Sequence, residues 1–268
     1  MSEYNNTKIY GDGTIAEGKY NNIKIMGDAT ATGDVECVDL VIMGDGEFKG
    51  SLKAKNIKIM GDSNFHGCLE ANILKVYGDT NSKESVNIDE LKVYGGFKIN
   101  KNLESNNDVS IMGEMHVEEN LKGKNISIMG ELEVKKNLVF SNMNVFGEMN
   151  VFGNCEGDFF RNKGKANIDG LLSADKIEIV PKEISKIEEI GGSEIIIKKS
   201  GWIDITRGKI LSKLIEGDSI ILQNTICNVV RGHDITILSG CSIEKVEYTG
   251  KLTIDKNSEV GEQICLRS

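Results

Sequence analysis

The chain has 268 residues, of which 39% are hydrophobic and 27% are charged, so it can bury a core and does not have a disordered composition. A formal charge of -9 and a pI near 5.1 argue against nucleic acid and anionic membrane surfaces, both of which favour a basic face. No window approaches the roughly 18 apolar residues of a transmembrane helix, and Met1 to Asn6 lack the pattern of a secretory signal. The six cysteines form no CxxC pair, and without an export signal we expect reduced thiols in a soluble, cytoplasmic protein.

A four-residue motif recurs along the first 150 residues. It has the form Ile25-Met26-Gly27-Asp28, and its glycines lie at positions 11, 27, 44, 61, 78, 95, 113, 130 and 147. The intervals between them are 16 to 18 residues. Self-similarity at a constant period of this length predicts a solenoid.

Three pairs of mostly apolar residues follow each glycine, at +2 and +4, +8 and +10, and +13 and +15. After Gly44 the pairs are Gly46 and Phe48, Leu52 and Ala54, and Ile57 and Ile59. A spacing of two is the side-chain period of a strand, and no window sustains a helical stripe. We therefore predict an all-β fold, a parallel β-helix of about 15 three-strand coils with a triangular section. We expect glycine at the corner because a Cβ would obstruct the backbone angles there.

The regularity changes along the chain. Residues 1–181 form the regular β-helix with 17-residue repeats, ending at Pro181, the one proline. The looser pattern of residues 182–200 predicts either an irregular coil or a loop. We expect the boundary between the two halves of the chain to lie here. Residues 201–268 predict less regular coils, in which we expect inward pairs such as Ile203 and Ile205, and Ile235 and Ile237.

Catalytic and metal-binding chemistry is poorly supported. The three histidines, His66, His116 and His233, fall at outward or corner positions of different coils, and no His/Cys/Asp cluster has the spacing of metal ligands. No nucleophile elbow or phosphate loop is present. We therefore expect no catalytic site, metal or cofactor, and a protein that is not an enzyme.

An acidic residue follows most of the repeat glycines, and it has two interpretations. One is a row of divalent-cation ligands; the other, which we favour, is hydrogen bonding to the corner backbone with nearby lysines offsetting the charge. The acidic positions are Asp12, Asp28, Asp45, Asp62, Asp79, Glu114, Glu131 and Glu148.

A large apolar residue precedes most of the repeat glycines. Alternation predicts that these side chains point outward and form a stripe for lateral protein contact, while the alternative is that each folds against its corner. The positions are Met26, Met43, Met60, Tyr77, Tyr94, Met112, Met129 and Phe146. Among the cysteines, we expect Cys37, Cys155 and Cys241 to point inward and Cys68, Cys227 and Cys265 to point outward.

The two ends of a β-helix expose unpaired backbone groups and an open core, and the sequence shows no amphipathic capping helix at either end. We therefore predict that the first and last coils stack on other copies by β-augmentation. The residues expected to form this self-assembly contact are Ile9, Ile15, Ile23, Leu252, Ile254, Val260, Ile264 and Leu266.

The 17-residue three-strand repeat and the tail phrases from Val246 to Ile254 and from Ser258 to Gly261 resemble the bactofilins, polymer-forming cytoskeletal proteins of bacteria. The resemblance implies a right-handed β-helix that polymerises end to end without nucleotide and serves cell shape, envelope organisation or motility. This chain differs in being about twice as long and nearly tail-free, and it lacks the short apolar-basic segment that takes some members to the membrane.

We therefore expect a structural, homopolymeric protein that binds no nucleic acid. One alternative is a monomeric β-helical module that binds a partner through the apolar stripe. Another is a β-helical acyltransferase or polysaccharide-acting enzyme, which would need a catalytic histidine or paired carboxylates in a groove.

Overall fold

The structure is built from strands. The computed structural model describes residues 5–199 and 208–266, and within these it has 26 strands, β1–β26, and no helix. It is an all-β parallel solenoid of about 15 turns with 72% strand, which confirms the predicted fold class. The chain divides into two compact units, Met1–Lys136 and Asn137–Ser268. The triangular section and the right-handed coil stay predictions.

The first unit contains sixteen strands. They are β1 (Asn5–Ile9), β2 (Gly13–Ile15), β3 (Gly18–Ile25), β4 (Ala29–Ala31), β5 (Val35–Ile42), β6 (Gly46–Phe48), β7 (Leu52–Ile59), β8 (Ser63–Phe65), β9 (Leu69–Val76), β10 (Asp79–Ser82), β11 (Val86–Val93), β12 (Gly96–Ile99), β13 (Leu103–Ile111), β14 (Glu114–Val117), β15 (Leu121–Ile128) and β16 (Glu131–Val134).

Short and long strands alternate, and each pairs in parallel with its equivalent one repeat away. Ile42 of β5 lies beside Ile59 of β7, which lies beside Val76 of β9, and all three are 0% exposed. The long strands contain two inward pairs separated by partly exposed residues, so each coil has the three inward pairs that the spacing predicts. Burying such a ladder of Ile, Leu and Val side chains stabilises the stack by roughly 2 kcal/mol for each residue.

The repeat glycines form a column, and the reason for glycine at these positions differs from the one we expected. None of them has a positive φ; within the described residues only Gly18 and Gly240 are glycines in that region. Instead, a Cβ at Gly78 would lie within 3.0 Å of the carbonyl oxygen of Gly61 in the preceding coil, whereas a Cβ at Gly11 would meet nothing within 4 Å. Glycine is therefore required by the close approach of successive coils at this corner, and not by the backbone angles of the corner itself.

The second unit contains ten strands, four of which are unusually long. They are β17 (Leu138–Val145), β18 (Glu148–Val151), β19 (Cys155–Asn162), β20 (Lys165–Ile179), β21 (Ile184–Ile197), β22 (Lys209–Leu222), β23 (Thr225–Ile237), β24 (Ser242–Tyr248), β25 (Leu252–Ile254) and β26 (Glu259–Cys265).

The segment predicted as either an irregular coil or a loop is mostly strand. β21 pairs in parallel with β20 on one side and with β22 on the other, so residues 184–197 form part of a coil. The sequence separation between paired residues of β21 and β22 is longer than one 17-residue repeat, since Ile195 lies beside Ile220, 25 residues further on. The expected inward pair Ile203 and Ile205 lies outside the described residues, and the boundary at 182–200 stays a prediction. Among the described residues, no helix has the length and hydropathy needed to cross a bilayer.

Candidate assembly surfaces

The first and last coils leave strand edges without a neighbour. Within the described residues, β25 pairs only with β23 and β26 only with β24. In the first unit, β1 pairs only with β3 and β2 only with β4. Each of these four strands therefore presents unpaired N–H and C=O groups along one side, which is the arrangement that accepts another strand.

The apolar residues of the last coil are less buried than their equivalents one coil earlier. Ile235 and Ile237 of β23 are 1% and 0% exposed, and they lie beside Leu252 and Ile254 of β25, which are half-buried. Val260 is likewise half-buried beside Ile243, which is 3% exposed. The core layer formed by the last coil is therefore open on one side, as the sequence predicted.

Two other residues predicted for this end lie on the outer surface of the last coil and not in its open core. Ile264 lies beside Glu247, an outward position, and Leu266 is 49% exposed. The Glu247 carboxylate accepts hydrogen bonds from Lys245 and Arg231, each at 2.7 Å, and these bonds hold its pKa below the usual range. The corner within β26 changes which residues point inward, so Ile264 and Leu266 belong to the outer surface and not to the open core.

The first coil offers less apolar surface than predicted. Ile9 is half-buried, but Ile15 and Ile23 are each 1% exposed. Ile23 lies on the second coil, where Thr7 of β1 covers it. Of the three N-terminal residues assigned to self-assembly, only Ile9 is accessible to a second copy.

The predicted apolar stripe is on the surface. Its members in the first unit, from Met26 to Met129, are 37–52% exposed, and Phe146 in the second unit is 50% exposed. Tyr77 and Tyr94 stack with ring centroids 4.6 Å apart and an interplanar angle of 3°. The side chains therefore lie on the surface, partly packed against the corner and partly exposed. Sequence reasoning missed Tyr10, which has the same position in the first repeat and is 71% exposed.

The acidic corner residues differ in their partners: the Glu148 carboxylate accepts hydrogen bonds from the Lys165 amino group at 2.8 Å and the Asn150 amide at 3.3 Å, whereas Asp62 bonds backbone. The Asp62 carboxylate accepts the N–H of Asp79 in the next coil at 3.2 Å, which is the interaction expected from the favoured interpretation. Among residues 5–199 and 208–266, no group of three or more His, Cys, Asp or Glu side chains is placed to hold a metal ion.

Two polar columns on the outer faces were not anticipated. In one, charges of opposite sign alternate from coil to coil: Lys19 pairs with Glu36 at 2.6 Å, and Lys53 pairs with Glu70 at 2.8 Å. In the other, side-chain amides bond across coils, as from Asn56 to Asp39 at 2.8 Å. The sequence signal that could have predicted each column is that polar residues recur at the same position of the repeat. Exposed pairs of this kind contribute little to stability because water screens them, and they also favour one register.

The three histidines lie on different coils with ordinary surface partners. His66 lies 3.1 Å from the Glu47 carboxylate, His116 lies 3.5 Å from that of Glu133, and His233 lies 2.9 Å from the Thr249 hydroxyl. No two of them share a groove.

Four cysteines are buried and two are exposed, with one correction to the prediction. Cys37, Cys155 and Cys241 point inward and Cys68 and Cys265 are exposed, as predicted. The prediction for Cys227 was wrong, since it is 2% exposed. In β23 the inward residues are Thr225 and Cys227 and the outward one is Ile226, so the polar and apolar types are reversed relative to the usual alternation. Burial raises the pKa of the Cys227 thiol to about 12.

We expect thiol labelling to separate these two groups. In the native protein, iodoacetamide at pH 8 should modify Cys68 and Cys265 quickly and Cys227 at least tenfold more slowly, because burial blocks access and suppresses the reactive thiolate. Peptide mass spectrometry measures the extent at each site, and labelling in denaturant provides the control in which all six react. Native labelling of Cys227 as fast as that of Cys68 would place its side chain outside.

The fold and these surfaces define a class, the parallel β-solenoid with open end coils, which is compatible with a structural or polymerising role. No family model matches the chain, and no solved structure matches it. The chain is similar to the protein YhbF of Bacillus subtilis (strain 168), with 37% identity over 99 residues that cover 36% of this chain and 42% of the relative. It is also similar to YhbE of the same organism, with 36% identity over 99 residues that cover 35% of this chain and 42% of the relative. Both relatives are described as uncharacterized proteins, and the chain matches less than half the length of each.

Proposed function

We propose that this chain is a non-enzymatic structural protein of the bactofilin type that polymerises end to end without nucleotide. The observation that carries the proposal is the open last coil, where Leu252, Ile254 and Val260 are half-buried although their equivalents one coil earlier are 0–3% exposed. A second copy that covered this layer would remove its apolar side chains from water, which contributes roughly 25 cal/mol for each Å² buried.

Backbone hydrogen bonding supports the same contact. Because the ladders of β1, β2, β25 and β26 are all parallel, the free edges of β25 and β26 in one copy could accept β1 and β2 of another. Stacking would continue the ladder of each coil into the next copy by β-augmentation. Such a head-to-tail contact is heterologous and does not close, so it generates a filament.

A cytoplasmic location and a role in cell shape, envelope organisation or motility complete the proposal. The six cysteines are all free, which supports a reducing compartment. The histidines lie apart on separate coils, which supports a scaffold rather than a hydrolase or acyltransferase.

Ile254→Arg is expected to abolish filaments of the purified full-length chain. The half-buried side chain faces the open layer, and stacking a copy on it would bury an unpaired guanidinium at a cost of several kcal/mol. In the unstacked protein the same arginine can extend into water, so the fold should persist. Negative-stain electron microscopy and sedimentation measure the loss.

Thr253→Arg is the matched control, since Thr253 is the exposed, outward neighbour on the same strand and receives the same charge. It should leave filaments intact. Filaments of normal length from Ile254→Arg would count against stacking through the last coil, and dispersed particles from the wild-type chain would count against polymerisation altogether.

A monomeric module that binds a partner through the stripe is a second candidate, favoured by the 37–52% exposure of the stripe in the first unit. Wild-type chain that stays monomeric at all concentrations would support it over the filament.

A further inference from the structure

The apolar stripe of the first unit is a continuous row. We define it as Tyr10, Met26, Met43, Met60, Tyr77, Tyr94, Met112 and Met129. Each member after Tyr10 donates its backbone N–H to the residue that precedes the stripe in the coil before, for example Met60 to the Ile42 carbonyl and Tyr77 to the Ile59 carbonyl. Successive members are therefore about 4.8 Å apart, and the stripe is about 34 Å long.

A row of lysines lies along one side of the stripe. Lys58, Lys75 and Lys92 lie beside one another in the register of β7, β9 and β11, and Lys8 lies beside Lys24 in that of β1 and β3. Each lysine is two residues before a stripe residue in the chain. The Lys58 amino group lies 5.3 Å from the centre of the Tyr77 ring, so a lysine of this row reaches the stripe.

A row of carboxylates lies along the other side, two residues after the stripe. Its members are Asp12, Asp28, Asp45, Asp62, Asp79, Glu114 and Glu131. The first four line one shallow groove of about 510 Å³ together with glycines and small polar residues. The stripe therefore separates a lysine row, which is interrupted at Val41 and ends at Lys92, from an acidic row.

Within residues 5–199 and 208–266, the flanking charges form no ion pairs. In the described part of the protein, Lys8, Lys24, Lys75 and Lys92 form no ion pair, and neither do the seven carboxylates of the acidic row. This contrasts with other faces of the same unit, where Lys53 pairs with Glu70 at 2.8 Å and Lys122 with Glu104 at 2.6 Å. Charges of both signs are thus available beside the apolar stripe.

We propose that this surface binds the same surface of a second copy, with the two solenoid axes parallel. When two copies meet face to face about a two-fold axis parallel to the solenoid, the lysine row of each lies opposite the acidic row of the other. A two-fold axis perpendicular to the solenoid would instead place lysine against lysine and carboxylate against carboxylate, which is unfavourable. The parallel pair also brings each stripe residue against its own equivalent.

The size of the surface fits such a pair. Eight large side chains at 37–71% exposure, with the two charged rows, approach the roughly 800 Å² per partner of a standard interface. A partner of one net charge would complement only one flank, whereas a second copy complements both. This inference extends the proposed self-assembly from the ends of the solenoid to its side, and it rests on that function only in assuming that copies associate.

Single-cysteine cross-linking tests the orientation. In a full-length chain carrying Cys68→Ser and Cys265→Ser, Met26→Cys alone and Met112→Cys alone should each form disulfide-linked dimers under mild oxidation, because parallel pairing brings equal positions together. An antiparallel pair would place Met26 opposite Met112, so that only a mixture of the two variants would cross-link, and this result would overturn the proposal. Lys53→Cys, on another face, is the control and should not cross-link.

Charge reversal tests the flanking rows. Lys75→Glu would oppose Asp79 of the second copy, and it should weaken dimerisation at least tenfold by sedimentation equilibrium. Adding Asp79→Lys to the same chain restores opposite charges across the interface and should recover the affinity. A double variant as weak as the single one would overturn the proposed pairing.

The same measurements in the Ile254→Arg background separate this inference from the proposed function. Loss of filaments with persistence of dimers supports both contacts. Monomers in that background, from a wild-type chain that forms filaments, would overturn lateral pairing and leave end stacking in place. Wild-type chain that forms parallel dimers and no filaments would support lateral pairing and overturn end stacking.

Discussion

Gly78→Ala is expected to lower the free energy of unfolding by about 2–4 kcal/mol, a large effect for the addition of one methyl group. The added Cβ would lie within 3.0 Å of the Gly61 carbonyl oxygen, which is backbone and cannot turn aside. The two coils would have to separate at the corner, which would strain the hydrogen bond from the Tyr77 N–H to the Ile59 carbonyl, 2.8 Å in the native protein. Urea denaturation at a constant protein concentration measures the change, since association adds to apparent stability.

Gly11→Ala provides the matched control, because a Cβ at this first member of the column has nothing within 4 Å. The control should change stability by less than about 1 kcal/mol, within the range of an exposed Gly-to-Ala substitution. Equal destabilisation by the two variants would show that the corner requires glycine for its backbone angles and not for the approach of neighbouring coils.

Phe65→Ala is expected to destabilise the protein by about 3–5 kcal/mol. Phe65 is 1% exposed, and its ring stacks on that of Phe48 in the preceding coil with centroids 5.1 Å apart. Truncation removes a large buried apolar surface and leaves a cavity that the flanking coils cannot fill, because their spacing is set by the backbone ladder. The shift of the urea midpoint measures the effect.

Tyr94→Ala is the control for this second prediction. It also removes one ring of a stacked pair between coils, but the ring is 41% exposed. We expect the free energy of unfolding to fall by about 1 kcal/mol or less, because the exposed ring stacks on its neighbour but buries little apolar surface. A loss as large as that of Phe65→Ala would mean that the outer stripe, and not the interior ladder, stabilises the stack.

A period of 17 residues with inward pairs spaced by two was enough to predict the fold. Ile42, Ile59 and Val76 recur at one position of the repeat and are 0% exposed in the structure. The same reasoning predicted the outward stripe from Met26 to Met129, which is exposed. The physical reason is that strand alternation is local, so the sequence of one straight segment determines which of its side chains face the core.

That reasoning could not predict how corners change the alternation or which residues neighbouring coils bury. Cys227 was assigned to the wrong side because the apolar Ile226 takes the outward position and the more polar Thr225 an inward one. Ile264 was assigned to the wrong side because a corner alters the alternation, and no local pattern records how many residues the corner takes up. Ile15 and Ile23 were taken as accessible, although contacts within the first two coils bury them.

The repeat by itself therefore determined that this chain is a parallel β-solenoid, which residues form its core and which large apolar residues lie outside. Only the tertiary structure decided why glycine occupies the corner column, which apolar residues of the end coils remain open, and which surface charges lack partners. Each of these depends on distances between residues one repeat apart in the chain, such as that from Gly78 to the Gly61 carbonyl. A linear pattern shows that two such residues are equivalent, but the space between them is set by how the coils stack.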